Sequence, residues 1–203
     1  MTKLTDDDLL RQMLEGDEEA FAALYRRRQG GVYRFALQMT GNAGTAEEVT
    51  QEVFMTLIRE ARQFDPAKGS LKAFLYGIGR NYALRYLERE RPYVSLAENL
   101  PDGDGFDAAW EPATQGDLLA ELTQTEAIER VRQAVLALPP NYREVVVLCD
   151  LHEMGYNEAA AVMGCAVGTV RSRLHRARAL LLVKLKSAQH AALNAGCNGA
   201  SRP

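Results

Sequence analysis

The sequence predicts an all-α fold of two small helical domains joined by a flexible acidic linker, and three observations carry that prediction. Apolar residues recur at spacings of three and four through most of the chain. β-branched residues rarely cluster, and the one clear run, Val145–Val147, sits inside a helical pattern. From residue 92 to 116 the pattern stops, and Pro92, Pro101, Pro112, Gly103, Gly105 and Gly116 stand among acids. Such a stretch cannot bury enough apolar surface to fold alone. The domains are then 1–91 and 117–187, with 92–116 a linker and 188–203 a disordered tail.

Each element has its own signals. The first helical stretch carries Leu9, Met13, Phe21, Leu24 and Tyr25, broken at Gly16-Asp17. Gly30-Gly31 is expected to separate it from a helix holding Val32, Phe35, Ala36 and Met39, and Gly41 to Gly44 breaks the chain again. Thr45 and Glu48 then fit a capping box, in which each residue satisfies the other's backbone amide. The helix they open buries Val49, Val53, Leu57 and Ala46. Phe64 to Gly69 reads as a turn. Ser70 can cap the next helix, whose stripe is Leu71, Phe74, Leu75, Ile78 and Tyr82. In the second domain a helix runs to Leu138 and breaks at Pro139-Pro140, and another runs from Tyr142 to Leu151.

Charge is segregated along the chain. The net charge is −3, which taken alone argues against nucleic acid. Residues 93–130, however, hold nine acids and one base, whereas 139–203 hold eight bases and four acids. Phosphate binding follows the local cluster rather than the chain total. No apolar run approaches the ~18 residues a membrane span needs. The acidic start MTKLTDDDLL lacks a signal peptide's apolar core. No membrane insertion and a cytoplasmic location are therefore expected.

Residues 156–178 carry the most specific local pattern. Glu158 to Met163 forms a short helix with a small face at Ala159 and Ala160. Gly164 can take the positive φ of a sharp turn. Val167-Gly168-Thr169 opens a second helix with Val170, Leu174 and Ala177 inward. Arg171, Ser172, His175, Arg176 and Arg178 are left outward. This is the pattern of a DNA-reading helix-turn-helix, against the plainer reading of a solvated basic face.

GTVRSRLHRAR, preceded by LPPNYREVVVL, resembles region 4 of the sigma-70 family, in the extracytoplasmic-function (ECF) group of bacterial initiation factors. AEEVTQEVFMTLI resembles that family's core-binding helix of region 2, and FDPAKGSLKAFLYGIGRNYALRYLERER the promoter-melting segment after it. The order is the family's, and the resemblance covers about residues 6–91 and 126–186. Phe74, Gly79, Ala159 and Ala166 depart from the usual Trp, Ala, Ile and Ser.

The resemblance implies a factor that binds core RNA polymerase, recognises −10 and −35 promoter DNA and melts it, serving stress-response genes. It implies core contacts by Glu47, Glu48, Gln51, Glu52 and an exposed Phe54. For the −10 element and melting it implies Phe64, Lys68, Lys72, Tyr76, Arg80 and Asn81, with Tyr76 the best exposed aromatic. Phe64 reads equally well as core. For the −35 element it implies Arg171, Ser172, His175 and Arg176, with Arg143, Arg173 and Arg178 more suited to phosphates. Linker acids such as Asp102, Asp104 and Asp107 would thread the polymerase cleft. An anti-sigma factor is a further expected partner, and the free protein is expected to be a monomer.

Two other readings compete. A stand-alone helix-turn-helix regulator would bind duplex DNA tightly by itself, normally as a dimer. A metal-sensing module would use Cys149 and His152 with Cys165 and Cys197, but zinc takes about four ligands and these are scattered. No nucleophile triad, phosphate loop or catalytic carboxylate pair is evident. No enzymatic activity, cofactor or metal is expected.

Overall fold

The computed structural model describes residues 4–90 and 124–197, with side chains over 4–90 and 126–186. The linker 92–116 and its acids lie outside the described residues. Among those described, every regular element is helical.

The N-terminal domain is built from four helices. Helix α1 (Asp6–Leu14) is closed by a capping box between Thr5 and Asp8. Helix α2 (Glu18–Thr40) is capped by Asp17, whose carboxylate accepts from Glu19 and Ala20. It runs unbroken through Gly30-Gly31, so the separation expected there does not occur. Gly31 is needed for close approach instead, because a Cβ there would sit 3.0 Å from the Tyr76 hydroxyl. Gly41 ends α2 at φ 74°.

Helix α3 (Ala43–Glu60) is capped by Asn42, whose side chain accepts from the Thr45 amide at 3.0 Å. Thr45 therefore lies inside the helix and is buried, and the expected Thr45–Glu48 box is displaced by an earlier start. A short 3-10 turn (Ala61–Gln63) and a loop lead to α4 (Leu71–Glu90). There the Ser70 hydroxyl accepts from Ala73 N, as expected of a cap. Leu24, Val32, Phe35, Met39, Val53, Leu57, Leu71 and Leu75 are almost wholly buried. Each such large side chain contributes about 1.5–3 kcal/mol of transfer free energy.

The C-terminal domain comprises α5 (Gln124–Leu136), α6 (Pro140–Val146), a π-helical turn (Val147–Leu151), α7 (Tyr156–Met163) and α8 (Val167–Cys197). Gly164 turns α7 into α8 at φ 64°. Val170, Leu174 and Ala177 face inward as the spacing requires. Helix α8 continues to Cys197, beyond residue 188 where a disordered tail was expected to begin.

The two domains pack against each other. Helix α7 lies on α4, and α5 touches the end of α2. There a Cβ on Gly41 would meet Leu136 at 3.1 Å. Buried residues of both domains form one continuous apolar cluster.

Candidate nucleic-acid interface

Helix α3 presents one exposed face. Glu47, Glu48, Gln51 and Glu52 all stand in solvent. Phe54 does not: it is 3% exposed and packs edge-on to Tyr25 at 4.7 Å and to Phe21 at 6.5 Å. The exposed apolar groups are Met55 and Ile58, about half exposed each. Gln51, Met55 and Ile58 are related by i, i+4, i+7, so they share a face. That stripe is readable in the sequence, as the side opposite Val49, Val53 and Leu57.

The loop 64–70 and helix α4 hold the candidates for strand opening, and they divide in two. Lys68 and Asn81 are exposed. Lys68 pairs weakly with Asp65 at 3.6 Å, and Phe64 lies half-buried against Phe74, ring centroids 5.5 Å apart. Tyr76, expected to be exposed, is 4% exposed. It stacks on Phe35 at 5.2 Å, and its hydroxyl meets His152 Nδ1 at 2.9 Å. The physical reason is that α4 is covered from two sides, by α2 and α3 and by the C-terminal domain.

That cover is polar. The Arg80 guanidinium pairs with Glu144, which is 2% exposed. Burial pushes the Glu144 carboxyl up, while Arg80 and Arg173 pull it back. Lys72 Nζ donates to the His152 carbonyl at 3.0 Å, and the Ser70 hydroxyl donates to Glu158 at 2.6 Å. His152 Nε2 lies 2.8 Å from Gln38 Oε1. With that carbonyl as acceptor, Nε2 carries the proton and Nδ1 accepts from Tyr76. Burial, then Lys72 and Arg34, lowers the His152 pKa to about 4. The turn that places it is strained, since Glu153 sits at φ 54°. Long-range partners of this kind leave no local sequence signal, so sequence reasoning does not connect Gln38, Glu144, His152 or Glu158 to this face.

The helix-turn-helix exposes Arg171, Ser172 and His175 on the early turns of α8. The Arg171 guanidinium lies over the Tyr156 ring at 5.9 Å, and Ser172 Oγ donates to Thr169 O. Arg176 is intermediate in exposure. Of the three expected phosphate contacts, two are engaged elsewhere in this arrangement and the third is half-buried. Arg178 is held by Asp150 through two bonds, at 2.6 and 3.1 Å. Arg173 is half-buried with its Nε unpartnered among the described residues. Arg143 donates to the carbonyls of Leu136 and Leu138, and to Met39 of the other domain.

No group of three His, Cys, Asp or Glu that could hold a metal occurs among the described residues. Cys149 and Cys165 are free thiols, and burial pushes the Cys149 thiol up. No described helix is long and apolar enough to cross a membrane.

Residues 24–93 match the model for sigma-70 region 2, and residues 128–181 the model for sigma-70, region 4. The ECF RNA polymerase sigma-E factor of Escherichia coli K12 is 34% identical over 185 residues, covering 87% of this chain and 92% of that protein. The ECF RNA polymerase sigma factor SigW of Bacillus subtilis 168 is 27% identical over 178 residues, covering 87% and 95%. SigE of Mycolicibacterium smegmatis is 34% identical over 167 residues, and the match spans 80% of this chain but 62% of that protein. Among solved structures, CnrH in complex with the cytosolic domain of CnrY superposes with a TM-score of 0.65 at 27% identity, covering 90% and 97%. The sigma factor RpoE in complex with the anti-sigma factor NepR from Bartonella quintana gives 0.60 at 26%, covering 82% and 96%.

Proposed function

Because this chain belongs to the sigma-70 family, in its extracytoplasmic-function group, we propose that it binds core RNA polymerase and directs it to −10 and −35 promoter elements, which it helps to melt. The observation that carries this reading is the presence of two separate contact faces in one chain. One is the α3 stripe of Glu48, Gln51, Glu52, Met55 and Ile58, acidic along one edge and apolar along the other. Such a face suits a basic, partly apolar helical surface of a large partner. The other is the start of α8, where Arg171, Ser172, His175 and Arg176 form a polar row after the Gly164 turn. A helix presented in this way enters the major groove, and an Arg there can grip a guanine edge with two bonds.

Melting falls to the loop 64–70 and to α4. Extruding a base costs a few kcal/mol, which aromatic stacking and phosphate contacts can offset. Phe64, Tyr76 and Asn81 are the groups for bases, with Lys68, Lys72 and Arg80 for phosphates. In this reading Arg143 and Arg178 can meet phosphates only after leaving their present partners, and Arg173 only on leaving its half-buried place. The protein works in the cytoplasm, on stress-response genes, and is restrained by an anti-sigma partner. Support for such a partner is that a solved relative carries one.

Run-off transcription from a promoter library, with core polymerase and with or without this protein, tests the reading. Start sites that depend on the protein are expected. Arg176→Ala or Arg171→Ala is expected to weaken −35 recognition by about 1–3 kcal/mol and to relax its sequence preference. No added start sites, with tight duplex binding by the protein alone, would instead favour a stand-alone regulator.

A further inference from the structure

Among the described residues Glu144 is the one charged residue that is fully buried, at 2% exposure. It sits on α6, but its partner Arg80 belongs to the other domain. Both carboxylate oxygens turn to that guanidinium, Oε1 to Nε and Oε2 to a terminal nitrogen at 3.4 Å. Besides Arg80, the cation whose charge bears on Glu144 is Arg173 of α8. Yet among the described residues no ion pair reaches Arg173. Its Nε is buried without an acceptor. Spacing explains that place. Arg173 stands three residues after Val170 and four before Ala177, both of them buried, so its stem runs along the inner flank of the helix. Helix α6 packs on α8.

We propose that Glu144 is a positioning residue for the DNA-reading helix: as the domains part, its carboxylate passes from Arg80 to Arg173 and fixes α8 to α6. The inference rests on the reading above, in which α8 recognises the −35 element and Arg80 turns to DNA. Departure of Arg80 takes both bonds from the carboxylate, and a buried charge stripped of its partner is strongly destabilising. The Arg173 Nε–H already lacks an acceptor, and a buried donor left unmade costs its desolvation. One movement settles both, because a guanidinium fork matches a carboxylate with two parallel bonds. Arg173 then leaves the set of phosphate contacts and gains a partner inside its own domain. It stands in sequence between Ser172 and His175. A bond from its side chain to α6 therefore sets the rotation of the turns that carry the base-reading row. The exchange also frees Arg80 without leaving a carboxylate stranded.

The test is amide hydrogen exchange over residues 167–177, read by mass spectrometry on the full-length protein without polymerase. Arg80→Ala removes the first partner, and Arg80→Met does so while keeping an apolar stem. The Arg80 variant that keeps the parent's helicity by circular dichroism is the one compared. Arg173→Gln removes the second partner. In the parent it is expected to change exchange little, because Glu144 is still held by Arg80. In the Arg80 variant it is expected to speed exchange roughly tenfold, within the range for directly coupled side chains. Glu144→Gln in the Arg80 variant is expected to give the same acceleration, and Arg173→Gln added to it no more. An Arg173 with a merely structural role would speed exchange equally with and without Arg80, and that result would overturn the handover. So would exchange that ignores Arg173 in both backgrounds. An effect that appears only without Arg80 upholds the handover even if run-off transcription fails. Protein-dependent start sites with no such dependence overturn the handover and leave the transcription reading standing.

Discussion

Helices α3 and α4 share one core but have opposite outer faces. The outer face of α3 is open: Glu48, Gln51, Glu52, Met55 and Ile58 meet only solvent or their own helix. The outer face of α4 is covered, with Lys72, Tyr76 and Arg80 engaged by His152 and Glu144 of the other domain. The difference implies an order of events. On the proposed reading, a partner can dock on α3 while the molecule is closed, whereas DNA can reach α4 only after the domains part.

The largest expected effect comes from breaking the cover at its buried ion pair. Arg80→Ala leaves Glu144 buried without its main partner, which typically costs about 3–5 kcal/mol. The closed arrangement should be lost, and small-angle scattering should report a larger radius of gyration. An unchanged radius would mean that the cover does not depend on this pair. Arg143→Ala comes next. It removes the donor to three carbonyls, two in its own domain and one on Met39 across the interface. A charged hydrogen bond contributes about 1.5–3 kcal/mol, so a loss of about 2 kcal/mol in a urea titration is expected. Burial already weakens the proton affinity of this guanidinium, consistent with a structural position.

Much of the architecture is legible in the sequence. Helix content, the Gly164 turn and the inward set Val170, Leu174 and Ala177 follow from periodicity and backbone geometry alone. Expectation and structure part where a local rule meets tertiary packing. Gly30-Gly31 looks like a break, but packing of Tyr76 against Gly31 holds the helix through it. Gly79, where the family usually has Ala, sits where a Cβ would lie 3.4 Å from Val53 and 3.6 Å from Phe35. The two outer faces differ in the same way. The α3 stripe can be read from spacing, although Met55 and Ile58, and not the expected Phe54, are its exposed apolar groups. The cover on α4 joins residues 64 to 88 positions apart, and no window of sequence contains both partners.

Smaller effects sharpen the comparison. Asn42→Ala should destabilise the open-faced helix by about 1 kcal/mol through the missing cap. Glu48→Ala should cost clearly less, because Asn42 and not the Thr45–Glu48 pair closes that helix. Equal costs in thermal unfolding would restore the capping box. The cover should also respond to acid through His152. Its pKa in the closed molecule, about 4, lies below the ordinary 6.5. The closed form therefore binds protons less readily than the open one, so its stability is full above pH 6.5 and falls as pH drops toward 4. Lys72 and Arg34 face the ring and oppose its charging. Glu144, whose carboxyl burial raises, acts in the opposite sense. A His152→Gln variant should lose the acid-induced opening in this window, and a parent and variant that open alike would assign it to other groups.

The most direct test is the distance between the domains when polymerase is added without DNA. Donor and acceptor dyes at exposed Glu15 and Ala161, read by single-molecule energy transfer, report it. One compact population is expected for the free protein, with a shift to a longer distance on adding core polymerase that Met55→Asp on α3 abolishes. A free protein already extended, or a compact population that core polymerase leaves unchanged while promoter melting proceeds, would contradict the order of docking before opening.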